Sequence, residues 1–257
     1  MDAPPFTHVL GCRVDAIGAE AAVARIVLLA RAPAAELGPR LVVTLGTEMA
    51  VRARRDPSFR ALLNGAALSL CDTIGIQLAA RAYGLRIPQR VTGVDLVDPL
   101  ARGLAAQGLG LYLLGAKGDT AARAGAELAR RHPGLQICGA RDGYFREEES
   151  ASVAAEIARS GARVLLVGLG SPRQEWWIER HLAATGAGAG IGVGGSLDVI
   201  SGNLERAPLA FRRAGLEWFY RLLREPSRLR RQLALPHFVF LVAIDRLRAS
   251  RKANDTR

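Results

Sequence analysis

Six short apolar runs, most of them followed by a stretch with helical periodicity, organise this chain between Leu41 and Val193. Residues 41–45, 67–71, 109–114, 135–139, 164–167 and 189–193 are short and predominantly apolar, as befits strands buried on both faces. Residues 48–55, 76–83, 120–131 and 148–159 supply the helices between them. This alternation predicts an α/β fold: a doubly wound, mainly parallel, Rossmann-like sheet with helices on both faces. In such a sheet the carboxyl ends of the strands share one edge, and ligands bind there.

The fifth run has the most informative ending, Gly168-Leu169-Gly170-Ser171-Pro172-Arg173-Gln174-Glu175-Trp176-Trp177. Glycines, then Ser171 at the N-cap position and Pro172 at the first helical position, gather backbone N–H groups and a helix dipole at one point. Such a point seats a phosphate or a sugar hydroxyl. Gln174 has two readings: the far member of a capping box, reaching back to the cap N–H, or a polar side chain projecting into the strand-end crevice.

Other polar residues sit at predicted strand ends. Thr44 and Thr47 close the first strand, and Asp72 closes the second. Leu70, Cys71 and Ile74 surround Asp72, so burial would raise its pKa toward that of a general base. The competing reading is an N-cap for the helix beginning near Ile74. Arg90 lies in a loop punctuated by proline and glycine, where Asp95 offers an ion pair. Gly115-Ala116-Lys117-Gly118 resembles a phosphate turn, a weak signal alone. G-x-x-x-x-G-K-[ST] does not occur, which disfavours a P-loop NTPase. Asp142-Gly143-Tyr144-Phe145 reads as a turn and helix start.

Charge divides the chain. The formal net charge is +11, and residues 206–252 hold twelve basic residues against three acidic ones. Expected domains are therefore a catalytic core, 1–204, and an arginine-rich helical appendage, 205–257. The appendage helices are expected over 208–232, broken by Pro226, and over 238–248. Three scattered cysteines fit a reduced, intracellular protein. The four histidines show no metal-ligand spacing and no D-x-D triplet occurs, so no metal or cofactor is implied. No secretory signal or membrane span is visible, which predicts a cytoplasmic chain. A basic nucleic-acid-binding protein is a second reading, but it leaves the strand-end polar residues unexplained. A nucleotide-dependent enzyme of another class is a third.

Seven motifs in order resemble the WecG/TagA/CpsF glycosyltransferases over roughly residues 11–231. They are Val42-Val43-Thr44, Asp72, Pro88 to Leu96, Asp142 to Phe145, Gly168 to Trp176, Gly192 to Asp198, and Arg206-Ala207-Pro208 leading to Glu217-Trp218-Phe219-Tyr220-Arg221-Leu222. The resemblance implies an inverting, metal-independent hexosyl- or N-acetylhexosaminyltransferase without cofactor. A UDP-sugar would be the donor and a polyprenyl-diphosphate-linked sugar the acceptor, in the synthesis of a cell-surface polysaccharide. Peripheral attachment to the anionic inner leaflet is implied, nucleic acid is not, and a homo-oligomer is compatible. Asp72 would be the catalytic base, and Arg221, Arg228 and Arg231 would stabilise the leaving UDP. Thr44, Arg90 and Gln174 would line the pocket, with Thr47, Thr73, Gly115, Lys117, Tyr144, Gly170, Gly194 and Asp198 completing the substrate-binding set. Two positions depart from the family pattern: Gly46 replaces an asparagine, and Thr73 replaces a glycine. Gly46 removes an amide from the pocket, so an N-acetylated sugar is not implied, and a hydroxyl of Thr47 or Thr73 could take its place.

Overall fold

Six parallel strands form the central sheet of the computed structural model, which describes residues 3–32, 40–213, 215–224 and 234–255. The strands are β3 (Leu41–Leu45), β4 (Leu68–Cys71), β5 (Leu111–Gly115), β6 (Ile137–Arg141), β7 (Val164–Gly168) and β8 (Ala189–Gly192). Their order across the sheet is β4-β3-β8-β7-β5-β6, and every neighbouring pair is parallel. The Rossmann-like expectation is met, and all six strands fall within two residues of where their apolar runs place them.

Alternation along the strands supplies two cores. Val43, Leu45, Leu114, Leu165 and Val167 point to one face, and Val42, Leu113, Val164 and Leu166 to the other. The first face is covered by α2 (Thr47–Arg55), α3 (Pro57–Asn64), α4 (Ile74–Ala82), α7 (Ser150–Ser160) and α8 (Arg173–Thr185). The second is covered by α1 (Ala19–Arg31), α5 (Gly93–Ala106), α6 (Thr120–Arg131) and the short α9 (Ser196–Ile200).

Several elements lie outside the sequence expectations. An antiparallel hairpin, β1 (Phe6–Val9) and β2 (Cys12–Asp15), packs beside β4. Its fully buried Asp15 accepts from Ser69 N at 2.8 Å, so a β4 backbone donor that a bare sheet edge would expose is satisfied. The α1 and α3 helices are likewise not marked by the alternation. The loop expected over 86–95 ends at Thr92, the N-cap of α5, whose hydroxyl accepts from Asp95 N at 3.1 Å.

The C-terminal segment is helical where it is described. The helix expected from Pro208 is divided into α10 (Leu209–Arg213) and α11 (Glu217–Arg224), with Gly215 between them at φ +72°. Pro226 lies outside the described residues. The final helix, α12 (Ala234–Asp255), is longer than expected and packs on α2 and α4. Phe238 is its buried anchor, and Tyr83 Oη donates to Asp245 Oδ2 at 2.7 Å. Among the described residues no helix is long and apolar enough to cross a membrane.

Gly115 serves the sheet itself. Its φ is +134°, and a Cβ there would lie 2.5 Å from the Gly168 carbonyl on β7. Gly115→Ala should therefore destabilise the protein by at least about 2 kcal/mol. Urea unfolding measures this, and a midpoint equal to wild type would show that the strand ends can separate freely.

Candidate active site

Strand geometry concentrates polar groups in one cavity of about 290 Å³ at the carboxyl edge of the sheet. Thr44, Gly46 and Thr47 enter it from β3 and α2, Asp72 and Thr73 from the end of β4, and Ser171 and Gln174 from the turn and helix after β7. Gly194 and Ser196 come from the end of β8. Val91 N donates to Cys71 O at 2.9 Å, which lays the 90–94 segment along the end of β4 and brings Arg90 to the same wall. Thus Thr44, Thr47, Asp72, Thr73, Arg90, Gln174 and Gly194, expected together from the sequence, meet in space.

Asp72 does not cap α4. Thr73 does, its hydroxyl accepting from Ile76 N at 3.5 Å. Asp72 Oδ1 instead accepts from Gly93 N at 3.0 Å, the first residue of α5. The carboxylate is therefore held between two helix starts, beside the cavity. Beneath it, Cys71 is no nucleophile: burial first, then the neighbouring Asp72 charge, push its thiol up to about 12.

Thr44 and Gln174 serve the protein as well as the cavity. Thr44 Oγ1 donates to Gly192 O at 2.8 Å, and Gln174 Oε1 accepts from Gly194 N at 3.1 Å, so the two side chains clamp the end of β8. The capping-box reading of Gln174 is corrected: its amide reaches across to the next strand rather than back to its own helix start. Pro172, not Ser171, occupies the N-cap position of α8. Gly46 has φ −104°, which any residue adopts, and a Cβ there would meet only Thr73 Cγ2 at 3.6 Å. Neither backbone strain nor crowding requires glycine, so its effect is to leave the wall open.

The segment after Arg206 adds to the cavity wall. Gly215, Glu217 and Trp218 line it, none of them marked as site residues in the sequence. Arg206 Nη2 donates to Asp95 Oδ1 at 2.6 Å and its Nε lies 3.8 Å from Glu217 Oε1, while Arg90 Nη2 donates to Arg212 O at 3.3 Å. The expected Arg90–Asp95 ion pair is replaced by Arg206–Asp95. A sequence signal existed for this junction: Thr92 and Asp95, three apart before an apolar run, form the pattern of a helix start.

Five of the expected residues, all of them described, do not line the cavity. Gly115, Lys117, Tyr144 and Gly170 belong to the neighbouring ends of β5, β6 and β7, where Lys117, Tyr144 and Gly170 are exposed. Asp198 lies in α9. Arg221 belongs to α11 with its side chain outside the described part of the structure, and Arg228 and Arg231 lie outside the described residues altogether. Among the described residues, no three His, Cys, Asp or Glu side chains are grouped to hold a metal ion.

A Rossmann-like sheet with polar side chains gathered at a strand-end crevice has the geometry of an α/β ligand-binding fold. The chain belongs to the glycosyl transferase WecG/TagA/CpsF family, which it matches over residues 7–252, and is thereby a glycosyltransferase. It is 35% identical over 215 residues to a Bacillus spizizenii protein named N-acetylglucosaminyldiphosphoundecaprenol N-acetyl-beta-D-mannosaminyltransferase. That match covers 84% of this chain and 82% of the relative.

The Asp95 junction makes a pH prediction. Burial works to raise its pKa, but bonds from Thr92 and Arg206 outweigh it and leave the carboxyl below the ordinary value. Stability from a lowered carboxyl is complete above the unfolded value, about 3.9, and is lost as pH falls through the folded one. Asp95→Asn should cost about 1 kcal/mol at neutral pH, since the pair is partly exposed. Thermal melts of the two proteins should converge in acid, and a difference constant from neutral pH to about pH 2 would refute the coupling.

Proposed function

We propose that this chain moves a sugar from a UDP-sugar onto a polyprenyl-diphosphate-linked N-acetylglucosamine, with inversion and without a metal, in the synthesis of a cell-envelope polysaccharide. The acceptor and pathway rest on the name of the Bacillus spizizenii relative and on the family. The single observation that carries the chemistry is the position of Asp72, at the meeting point of the strand ends beside a polar cavity.

In this reading Asp72 takes the proton from the acceptor hydroxyl as its oxygen attacks the anomeric carbon. The C–O bond to UDP breaks on the opposite side, so one displacement inverts the centre. Arg221, Arg228 and Arg231 meet the diphosphate charge that develops on the leaving UDP. Thr44, Thr47, Thr73, Arg90, Gln174 and Gly194 hold the sugars, and Gly115, Lys117, Tyr144, Gly170 and Asp198 extend the same edge toward the nucleotide. The open wall at Gly46 admits either a hexose or an N-acetylhexosamine. Residues 205–257 act as the closing appendage over the core.

That appendage also suits a membrane-bound acceptor. Phe219, Leu223, Val239, Phe240 and Leu247 are exposed on helices of the arginine-rich segment. Apolar side chains among arginines fit an anionic inner-leaflet surface, each nearby arginine contributing about 1 kcal/mol. The protein should co-sediment with anionic vesicles more strongly than with neutral ones; equal partitioning would contradict the electrostatic attachment.

The base assignment is tested by Asp72→Asn. Turnover should fall about 10²–10⁴-fold while calorimetric affinity for UDP changes little. Wild-type turnover in that variant would remove Asp72 from the mechanism.

A further inference from the structure

Glu175 is the unusual neighbour of this cavity. It is 1% exposed, and burial pushes its carboxyl above the ordinary glutamate value. Its Oε2 makes no hydrogen bond of ordinary geometry among the described residues, and the Ser171 hydroxyl is its polar neighbour. An apolar side chain of similar size would fill such a place at lower cost. The carboxyl interacts with the Ser171 hydroxyl and with Gln174: Gln174 Nε2 donates to Glu175 Oε1 at 2.7 Å. The other end of the same amide accepts from Gly194 N at 3.1 Å. Both side chains lie against Gly192, where a Cβ would sit 2.6 Å from Gln174 Nε2 and 3.1 Å from Glu175 Oε1.

We propose that Glu175 is a positioning residue that fixes the polarity of the Gln174 amide, so that Gln174 meets the bound nucleotide sugar as an N–H donor to one of its oxygens. A flipped amide would set oxygen against the Glu175 carboxyl and N–H against the Gly194 N–H, losing two bonds and adding two repulsions. Nε2 carries two hydrogens. Glu175 takes one, and the second serves a ligand in the cavity that Gln174 lines. The acceptor oxygen belongs either to the diphosphate or to a sugar hydroxyl. The identity of the ligand rests on the function proposed above; the polarity of the amide does not.

Two variants separate polarity from folding. In Glu175→Gln the new side chain can still accept from Gln174, so turnover should stay within about threefold of wild type and the Gly194 amide should stay protected from hydrogen exchange. The exchanged pair Q174E/E175Q keeps the same charge and the same set of side chains. Position 174 can still accept from Gly194 N and position 175 can now donate to it, but the donor toward the cavity is gone. This protein should melt like wild type and protect Gly194, yet lose at least about tenfold in turnover. Calorimetry of the exchanged pair against UDP, UDP-glucose and UDP-N-acetylglucosamine assigns the oxygen. Weakening for all three places it on the diphosphate, and weakening for the nucleotide sugars alone places it on the sugar. Wild-type affinity and turnover in the exchanged pair would overturn the donor assignment. Gly194 exchange in Glu175→Leu as slow as in wild type would overturn the positioning role, whether or not the wild-type protein transfers a sugar. If Glu175→Leu does not fold, the exchanged pair alone decides.

Discussion

Parallel pairing of β3, β4, β7 and β8 is the constraint on which the site depends. Parallel strands end on one edge, and their order β4-β3-β8-β7 sets residues 44, 72, 174 and 194 around one opening. A change in strand order would leave every motif intact and scatter the site. Small residues make the convergence tight. Gly168 and Gly192 let the strand ends and the α8 side chains approach where any Cβ would collide.

The site is held by groups that also face its contents. Thr44 and Gln174 tie the end of β8, and Asp72 is bound to the first amide of α5. The same first turn of α5 presents Asp95 to Arg206, which reaches Glu217 beside the cavity. A continuous set of contacts therefore joins the carboxylate of Asp72 to the segment that adds to the cavity wall.

The strands were legible because burial on both faces favours predominantly apolar runs, and 41–45 coincides with β3 to the residue. The hairpin was not: Phe6–Val9 and Cys12–Asp15 are four residues each and mix polar with apolar side chains. Asp72, Thr44 and Gln174 could be placed at one edge from strand ends alone. Their partners could not, since Gly93 and Gly194 become neighbours only through the strand order and the path of the chain after β4. Glu217 and Trp218 escaped for the same reason. Nothing local to α11 says that its first residues line a cavity at the ends of β3 and β4.

The most direct measurement is a crystal structure of the protein with a non-hydrolysable UDP-sugar. The anomeric carbon should lie in the strand-end cavity within about 6 Å of an Asp72 oxygen, the reach of one hydrogen bond plus one attacking distance. A nucleotide sugar seated elsewhere on the protein, with its anomeric carbon beyond the reach of Asp72, would contradict the account.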